Sequence, residues 1–494
     1  MSEQHTQYLF ELNDVQPRAP FTFPHPLNLK MGARENWIIY GPNGSGKTFL
    51  VKTIMSSFML QQGSIKYDFS PNVSNKTSEN IHYVTFHDQY GDSSDSTFYQ
   101  LRWNQGLLDN TLPRVKDTFD LKAVKNKKLF EILNDKLHIN DLMDKFVISL
   151  SSGEFRRFQI ARIMMQNPRL LIIENPFIGL DEANRRQVAE FLHEVMDQMP
   201  IQIILVLCRL PQNVSSFTHI IHVENGNIEK IAVEDKNDFH TLESKTLPQT
   251  TVNDLRANFA KLRADMEEYN PSSDDLILKL NKINIKYGKR TILKDQDWEI
   301  HKGEKWALQG ENGSGKSTLL SIVCADNPQS YSCDVILFGH RRGSGESIWD
   351  IKKHIGYQSP EMYRSYRKPL PVENIIASGL HDTIGLYRKL KDEDFQKIDF
   401  WLNVFGLTHL RKTNYLNLSN GEQRMILLAR AFVKNPDLLI LDEPFHGIDA
   451  QNRLLAQNII EEFCSLPGKT MIMVSHYMED FPKCISNQLL LTKH

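Results

Sequence analysis

Two eleven-residue segments place acidic side chains directly after a short apolar stretch. The segment LILDEPFHGID presents two adjacent carboxylates, Asp442 and Glu443. Such a pair could bind a hydrated cation and polarise a water molecule for attack. The earlier segment LIIENPFIGLD has Glu174 and Asn175 at the same places. Because an amide cannot accept a proton at neutral pH, we predict that only one of two related sites catalyses its reaction.

Two glycine-rich loops, GPNGSGKT and GENGSGKS, offer sites for phosphate groups. Each follows a strand-like segment, NWIIY or KWALQ, and precedes a helical pattern, which is the context that a phosphate loop requires. The glycines let backbone N–H groups surround the phosphates, and Lys47 and Lys316 would reach the β- and γ-phosphates. The hydroxyls of Thr48 and Ser317 would bind Mg²⁺. The predicted nucleotide contacts in these loops are Gly41, Asn43, Gly44, Ser45, Gly46, Lys47 and Thr48 in the first copy and Gly310, Asn312, Gly313, Ser314, Gly315, Lys316, Ser317 and Thr318 in the second.

These motifs divide the chain into two similar copies. They recur in the same order, and the matched residues Asn175 and Glu443 are 268 positions apart. Each copy alternates apolar strands with helical patterns, which indicates a mainly parallel α/β sheet. We therefore predict two tandem P-loop NTPase domains, residues 1–233 and 276–494, joined by a polar linker at 234–275.

Each copy also contains a Leu-Ser-x-Gly-Glu segment that leads into a basic helical pattern. The first is LSSGE, which ends at Glu154, and the second is LSNGE, which ends at Glu422. Together with the phosphate loops, the acidic segments and His476 after MIMVS, these signatures resemble the ATP-binding-cassette (ABC) family. The resemblance implies a mixed, mainly parallel sheet and a helical signature subdomain in each copy. It also implies that ATP and Mg²⁺ bind between the phosphate loop of one copy and the signature of the other.

One of these composite sites has every group that the resemblance assigns to hydrolysis. In the second copy, Asp442 would bind the hydrated Mg²⁺, Glu443 would polarise the attacking water and His476 would contact the γ-phosphate. Ser151 and Gly153 of the first signature would close over the same ATP. A helix N-terminus suits that role because it offers backbone donors and the positive end of the helix dipole.

The other composite site lacks the usual catalytic groups. Glu174 replaces the metal-binding aspartate, Asn175 replaces the catalytic glutamate, and Cys208 stands where the second copy has its histidine. The signature residues Ser419 and Gly421 of the second copy would complete this site. Glu174 can still bind Mg²⁺ through its longer side chain, so we expect ATP binding without appreciable hydrolysis.

The base-stacking and coupling positions depart from the family pattern. Tyr287 precedes the second phosphate loop and is the predicted adenine-stacking residue of that copy, whereas the first copy offers only Phe21 or Phe23 in a proline-rich stretch. The coupling glutamine that normally ends a strand of the type IGYVSQ is absent from its usual place. Gln358 and Gln89 are displaced substitutes.

Composition indicates a globular protein that works in a reducing compartment. The 494 residues carry a formal net charge of −2, which gives no general attraction to nucleic acid. The five cysteines show no CxxC pairing, and no apolar run approaches the roughly 18 residues needed to cross a bilayer. We predict a cytoplasmic location, with attachment to the inner face of the membrane as an alternative.

Three classes of function remain open at this stage. The segment Phe338–Tyr357 looks most like the ModF group, also called PhrA-like, of two-cassette bacterial proteins, which implies a membrane permease supplied by another chain. The segment Ser96–Gly106 lies where transporters of the family contact their permease. The alternatives are a ribosome-associated ATPase and a regulatory protein that reports its nucleotide state. In each case we expect the two cassettes to pair within one chain.

The linker contains one helical pattern. Behind Thr251, a plausible helix cap, apolar residues recur at spacings of three and four: Val252, Leu255, Phe259, Leu262 and Met266. This helix either docks on its own domain or binds a partner.

Overall fold

Two compact units make up the part of the chain that the computed structural model describes. The described residues are 8–19, 22–70, 72, 74–85, 113–119, 127–147, 150, 152–177, 180–211, 214–235, 246–264, 266, 275–288 and 290–493. Among them, residues up to 235 belong to the first unit and residues from 246 onward belong to the second.

The first unit contains both sheet and helix. Its described strands are β1 (Tyr8–Pro17), β2 (Leu27–Gly32), β3 (Trp37–Tyr40), β4 (Leu60–Tyr67), β5 (Ile81–Val84), β6 (Leu170–Glu174), β7 (Gln202–Leu207), β8 (His219–Glu224) and β9 (Asn227–Ala232). Its described α-helices are α1 (Lys47–Ile54), α2 (Thr77–Asn80), α3 (Val115–Thr118), α4 (Lys127–Leu137), α5 (Ser152–Met164) and α6 (Glu182–Gln198). Short 3₁₀ segments cover Ile139–Leu142 and Val233–Asp235.

The strands of the first unit form two sheets. An antiparallel sheet has the order β2-β1-β4, and a larger sheet has the order β5-β6-β7-β3-β8-β9. All neighbours in the larger sheet are parallel except β8 and β9. The central strands β3, β6 and β7 are buried along their whole length, as expected for parallel strands covered on both faces.

The second unit repeats this plan. Its described strands are β10 (Leu276–Tyr287), β11 (Arg290–His301), β12 (Lys305–Gly310), β13 (Asp334–Leu337), β14 (His340–Arg341), β15 (Ile355–Gln358), β16 (Leu438–Asp442), β17 (Thr470–Val474) and β18 (Asn487–Leu491). Its described α-helices are α7 (Gln249–Ala264), α8 (Lys316–Val323), α9 (Ile348–Lys352), α10 (Pro360–Ser365), α11 (Val372–Ala377), α12 (Asp392–Val404), α13 (Asn420–Phe432) and α14 (Ala450–Cys464). Short 3₁₀ segments cover Pro328–Ser332, Ser378–His381, Thr408–Leu410, Tyr415–Asn417 and Met478–Asp480.

The sheets of the second unit have the same order as their counterparts. An antiparallel sheet runs β11-β10-β13-β14, and a parallel sheet runs β15-β16-β17-β12-β18. The phosphate-loop strand β12 and the acidic strand β16 therefore both flank β17, and their carboxyl ends lie at one edge of the sheet. Ligands of open parallel sheets bind at such an edge. The predicted fold class, tandem α/β P-loop domains, is confirmed.

A helical region accompanies each parallel sheet. In the second unit α11 and α12 pack on the signature helix α13. The ring of Trp401 lies 5.1 Å from that of Phe432, and Phe432 lies 5.0 Å from Phe463 of α14. In the first unit α4 packs on α5 and α6. Across the described ranges, every helix is too short or too polar to span a membrane.

The helix predicted within the linker is α7, and it docks on the second unit. Leu255 and Phe259 are its buried residues, and the Phe259 ring lies 6.1 Å from that of Trp401 in an edge-to-face arrangement. Arg263 Nη2 donates hydrogen bonds to the carbonyl and hydroxyl oxygens of Ser465, at 3.0 and 2.7 Å. Of the two alternatives for this helix, docking within the chain is the one observed.

Replacing Phe259 tests whether α7 is part of the second unit. Phe259→Ala should lower the free energy of unfolding of that unit by about 3–5 kcal/mol, because it empties a buried aromatic site. Differential scanning calorimetry of the full chain, with hydrogen exchange of the α7 amides, measures the effect. Lys261→Ala, on the exposed face of the same helix, is the control and should change neither. Equal behaviour of the two variants would show that α7 contributes no packing energy.

Candidate nucleotide-binding sites

The two glycine-rich loops have the same local geometry. Each leaves the carboxyl end of a buried strand, β3 or β12, and enters a helix, α1 or α8. The residue before each helix lies in the left-handed region of backbone space, Gly46 at φ 104° and Gly315 at φ 98°. Residues with a Cβ are strained at such angles, so the turn from strand into helix requires glycine here.

The loop lysines lie across their own loops. Lys47 Nζ donates hydrogen bonds to the carbonyl oxygens of Gly41 and Pro42, both at 2.6 Å. Lys316 Nζ contacts the carbonyl oxygens of the first two residues of its loop in the same way, at 2.7 and 3.0 Å. Each ammonium group is therefore held at the mouth of its loop, where a phosphate could replace the carbonyl oxygens as its partner.

Each loop also buries a serine hydroxyl. The Oγ atoms of Ser45 and Ser314 are buried and have no hydrogen-bond partner within the described ranges. A Cβ added to Gly41 would lie 2.9 Å from the first of these atoms, and one added to Gly310 would lie 2.6 Å from the second. The loops are thus too tight for larger residues and keep an unused donor for a ligand oxygen. This donor set fits the phosphates of a nucleotide.

The edge of the second unit's parallel sheet gathers the predicted catalytic groups. Strands β16 and β17 are in register, with Asp442 opposite Val474. Glu443 follows at φ 50°, and its N–H donates a hydrogen bond to Val474 O at 2.9 Å. Its side chain is 5% exposed, and Oε1 lies 3.5 Å from His476 Nε2. Residues that lie 33 positions apart in the chain therefore meet at one buried carboxylate.

A second histidine contacts the same carboxylate. His446 Nε2 lies 2.8 Å from Glu443 Oε2, and the His446 side chain is 5% exposed. Burial raises the pKa of this carboxyl, but the positive charges of His446, His476 and Lys316 outweigh burial and lower the net pKa. The carboxylate is thus held ionised, as a proton acceptor must be. His446 was not among the predicted site residues. The comparison of the two acidic segments could have drawn attention to it, because the first copy has Ile178 in its place.

The matching edge of the first unit has the same backbone and different side chains. Asn175 follows β6 at φ 44°, and its N–H donates to Val206 O at 2.9 Å. Its Oδ1 accepts a weak hydrogen bond from Cys208 Sγ at 3.7 Å. Glu174 is buried and accepts a hydrogen bond from Tyr83 Oη at 2.8 Å. An amide and a thiol therefore occupy the positions that a carboxylate and a histidine occupy in the second unit.

The second signature forms the N-terminus of α13. Ser419 caps this helix: its N–H donates to Glu422 Oε2 at 2.8 Å, and the N–H of Glu422 is directed back at its Oγ. Gly421 is buried in the first turn. In the first unit Gly153 is buried near the start of α5, whereas Ser151 lies outside the described residues. The observed signature thus places backbone donors and a positive dipole end at a helix start.

A match to a known family model identifies the family of this chain. The sequence profile described as ABC transporter matches residues 24–178 and residues 293–446, once around each phosphate loop. The chain belongs to this family. Membership of a tandem-cassette ABC ATPase family implies that the chain binds and hydrolyses ATP.

Several similar proteins share both cassettes. ABC transporter ATP-binding protein ModF of Escherichia coli is 34% identical over 99% of this chain and 96% of its own length. An uncharacterized ABC transporter ATP-binding protein of Schizosaccharomyces pombe is 28% identical over 95% of each chain. Among solved structures, one titled RNase-L Inhibitor covers 97% of this chain and 87% of its own, with a TM-score of 0.52 and 18% identity. That structure supports the tandem ABC fold, and ModF confirms the predicted group.

The predicted adenine contacts differ between the two cassettes. Tyr287 ends β10, is half-buried and accepts a hydrogen bond on its Oη from Asn327 Nδ2 at 3.1 Å. Phe23 is 3% exposed and stacks on Phe49 with ring centroids 4.4 Å apart. It is therefore a core residue, with no exposed face for a base. Phe21, the other candidate, lies outside the described residues.

Arg290 is a cationic side chain beside the second phosphate loop. It pairs with Tyr287 across the β10–β11 turn. Its Nη2 lies 3.4 Å from the point that a Cβ on Gly313 would occupy. The sequence offered no motif for this residue, because its approach to the loop depends on the register of the hairpin.

Gln358 occupies the end of β15 at the same sheet edge. It lies opposite Leu441, one residue before Asp442, and is buried. Its Oε1 has no hydrogen-bond partner in the described part of the chain. The displaced glutamine therefore retains an acceptor near the predicted metal site, while Gln89 lies outside the described residues.

Replacing Tyr287 tests its predicted contact with adenine. Tyr287→Ala should raise the KM for ATP about tenfold, because aromatic stacking on a base is worth about 1–3 kcal/mol. Steady-state ATP hydrolysis at a series of ATP concentrations measures the change. Tyr331→Ala removes an exposed aromatic elsewhere in the second unit and should leave the KM as it is. An unchanged KM in the Tyr287 variant would refute the stacking role.

Proposed function

We propose that the second unit carries the hydrolytic ATP site, and that the first unit retains ATP without hydrolysing it at an appreciable rate. The observation that carries this proposal is the pair of matched turns after β6 and β16. Both turns have the same backbone angle and the same hydrogen bond to the neighbouring strand. Only Glu443, and not Asn175, provides a proton acceptor there.

The chemistry of the second site follows from its charges. Glu443 would accept a proton from water as that water attacks the γ-phosphate, and His476 would contact the phosphate oxygen. Loss of a positioned general base costs about 10²- to 10⁴-fold in rate, or roughly 3–5.5 kcal/mol of barrier. This magnitude is enough to leave the first site nearly inactive even though its phosphate loop is intact.

The side chains that would hold Mg²⁺ supply oxygen ligands in both copies, as this cation prefers. They would be Ser317 and Asp442 in the second copy and Thr48 and Glu174 in the first. Bound Mg²⁺ neutralises charge on the phosphate oxygens. Glu174 keeps acceptor capacity beside its hydrogen bond from Tyr83, because a carboxylate has several lone-pair sites.

The family resemblance supports composite sites within one chain. Lys316 would share its ATP with the first signature, Ser151 and Gly153. Lys47 would share its ATP with Ser419 and Gly421. Binding of ATP would then favour pairing of the two cassettes, because each nucleotide contacts both of them.

Two matched substitutions test the unequal sites. Glu443→Gln should lower steady-state ATP hydrolysis by about 10²- to 10⁴-fold, because it removes the proton acceptor. Asn175→Ala should change the rate little, since it removes an amide that cannot act as a base. Rates of the two full-length variants are compared at saturating Mg-ATP. Equal losses would refute the assignment of hydrolysis to the second unit.

The finer role that we propose is energy supply to a membrane permease made by another chain. Two observations favour it over the soluble alternatives. One is the similarity to ModF, whose name is that of a transporter component. The other is a cleft of about 310 Å³ in the second unit, between β15 and residues 382–387.

The lining of this cleft suits an apolar segment of a protein partner. Ile355, Tyr357, Met362, Ile384 and Tyr387 line it, and Tyr387 is 73% exposed. Its charged lining residues are Asp326, Lys352, Asp382 and Arg430.

Three of these charged residues are in ion pairs, and Arg430 donates hydrogen bonds to Ser378 Oγ and to the carbonyl oxygen of Thr383. Lys352 Nζ lies 2.5 Å from Asp326, and Lys434 Nζ lies 2.6 Å from Asp382. Ser96–Gly106, the segment that lies where transporters of the family contact their permease, is outside the described residues. We assign the cleft to a short permease helix that presents apolar side chains.

A variant of the cleft tests the permease assignment. The full-length Glu443→Gln protein, loaded with Mg-ATP, should co-purify with an integral membrane protein from detergent-solubilised membranes of its own organism. Adding Tyr387→Glu should remove that partner, because it places a charge in the apolar cleft. Adding Tyr331→Glu, at an aromatic residue that is 57% exposed elsewhere, is the control and should not. Capture of ribosomal proteins, or of the same partners by all variants, would contradict the assignment.

A further inference from the structure

We propose that His446 is a positioning residue, which orients the Glu443 carboxylate so that it can accept the proton of the attacking water. The inference rests on the proposed hydrolytic role of the second unit. His446 lies in the loop between β16 and α14. It belongs to neither the phosphate loop nor the signature, and it is not at a strand end.

The contact itself is the first argument. His446 Nε2 lies 2.8 Å from one carboxylate oxygen of Glu443, and His476 Nε2 lies 3.5 Å from the other. The carboxylate is thus bracketed by two imidazoles, and the closer one is His446. A close ion-pair partner restricts the rotation of the carboxylate, and it reduces the cost of burying the charge.

The loop gives the His446 ring little freedom. Its backbone N–H is directed at the carbonyl oxygen of Glu443 at 3.4 Å, which closes a tight turn. Phe445 and Ile448 on either side are buried, and Asp449 caps α14 by accepting a hydrogen bond from the N–H of Asn452 at 2.8 Å. Both ring nitrogens of His446 are buried and neither makes a hydrogen bond of regular geometry in the described ranges, so the ion-pair contact of Nε2 with Glu443 is the close polar contact of the ring. The carboxylate is therefore the polar group that the ring faces.

The opposite side of the carboxylate is held by a separate network. Ser475, next to His476, donates a hydrogen bond from Oγ to Asp480 Oδ2 at 2.6 Å. Arg453 Nη2 lies 2.7 Å from the other oxygen of Asp480. This network orders the segment that carries His476, whereas His446 lies in the loop between β16 and α14. The two histidines are thus positioned by different elements and can be tested separately.

The first copy supplies an internal comparison. There the helix after the acidic segment is capped in the same way, because Asp181 accepts a hydrogen bond from the N–H of Asn184 at 2.8 Å. The capping residue of this loop has thus been kept, yet the position of His446 is Ile178, which lies outside the described residues. The histidine is absent where the carboxylate is an amide, Asn175. Helix capping by itself therefore does not require histidine, whereas a buried carboxylate gives it a partner.

A donor-deletion series measures the role of His446. His446→Phe keeps the ring and removes both nitrogens. It should lower kcat about tenfold to hundredfold, as expected for a hydrogen bond to a charged group, with the KM for ATP within about twofold. His446→Gln places an amide N–H near the position of Nε2 and should recover most of kcat. His340→Phe, the same substitution at an exposed histidine, is the control.

A double-substitution cycle distinguishes positioning from a general structural effect. In the Glu443→Gln background, single-turnover hydrolysis should be no slower when His446→Phe is added, because the residue on which it acts is gone. Affinity for Mg-ATP should be unchanged in both backgrounds. If the Phe variant does not fold, His446→Met, which also lacks a donor, takes its place in the cycle.

Each outcome separates this inference from the proposed function. Full activity of Glu443→Gln would refute the hydrolytic assignment itself. Loss of activity in Glu443→Gln together with full kcat in the His446→Phe variant would refute only the positioning role. Equal fold-losses from His446→Phe with and without Glu443 would show that the histidine acts independently of the carboxylate, and would also overturn the inference. Failure of Gln to recover more activity than Phe would do the same.

Discussion

The buried carboxylate of Glu443 is the constraint on which the second unit's site depends. A negative charge at the end of a parallel strand is costly unless it has partners. Here the partners come from two directions along the chain, His446 from the loop that follows and His476 from the neighbouring strand end. The parallel order β16-β17-β12 brings those elements to one edge and places them beside the phosphate loop. The sheet thus positions the charge, and the histidines stabilise its ionised form.

The same constraint explains why the first unit differs at several positions together. The amide of Asn175 carries no charge that needs compensation. A histidine there would itself be a buried polar group without an anionic partner, so Cys208, which is small and weakly polar, packs at lower cost. The backbone did not have to change, because asparagine tolerates the left-handed conformation at φ 44°. The first unit therefore keeps the geometry of the turn with an amide in place of the carboxylate.

Both units have a phosphate loop, which fits the proposal that one site hydrolyses ATP and the other only binds it. Gly46 and Gly315 have nearly the same φ, and both loop lysines contact the carbonyl oxygens that begin their loops. The groups that would hold a nucleotide are present in both units, whereas the proton acceptor for the attacking water is present only in the matched turn of the second unit.

The sequence by itself determined the tandem α/β fold, the phosphate loops and the inequality of the two acidic segments. Those features depend on residues that are close in the chain or on a repeated order of motifs, so local chemistry was sufficient to identify them. Only the tertiary structure decided that Phe23 is a core residue, that α7 docks on the second unit and that His446 contacts Glu443. Each of these outcomes depends on which side chains meet after packing. Burial and side-chain direction are set by the neighbouring elements, and the spacing of residues along the chain does not specify them.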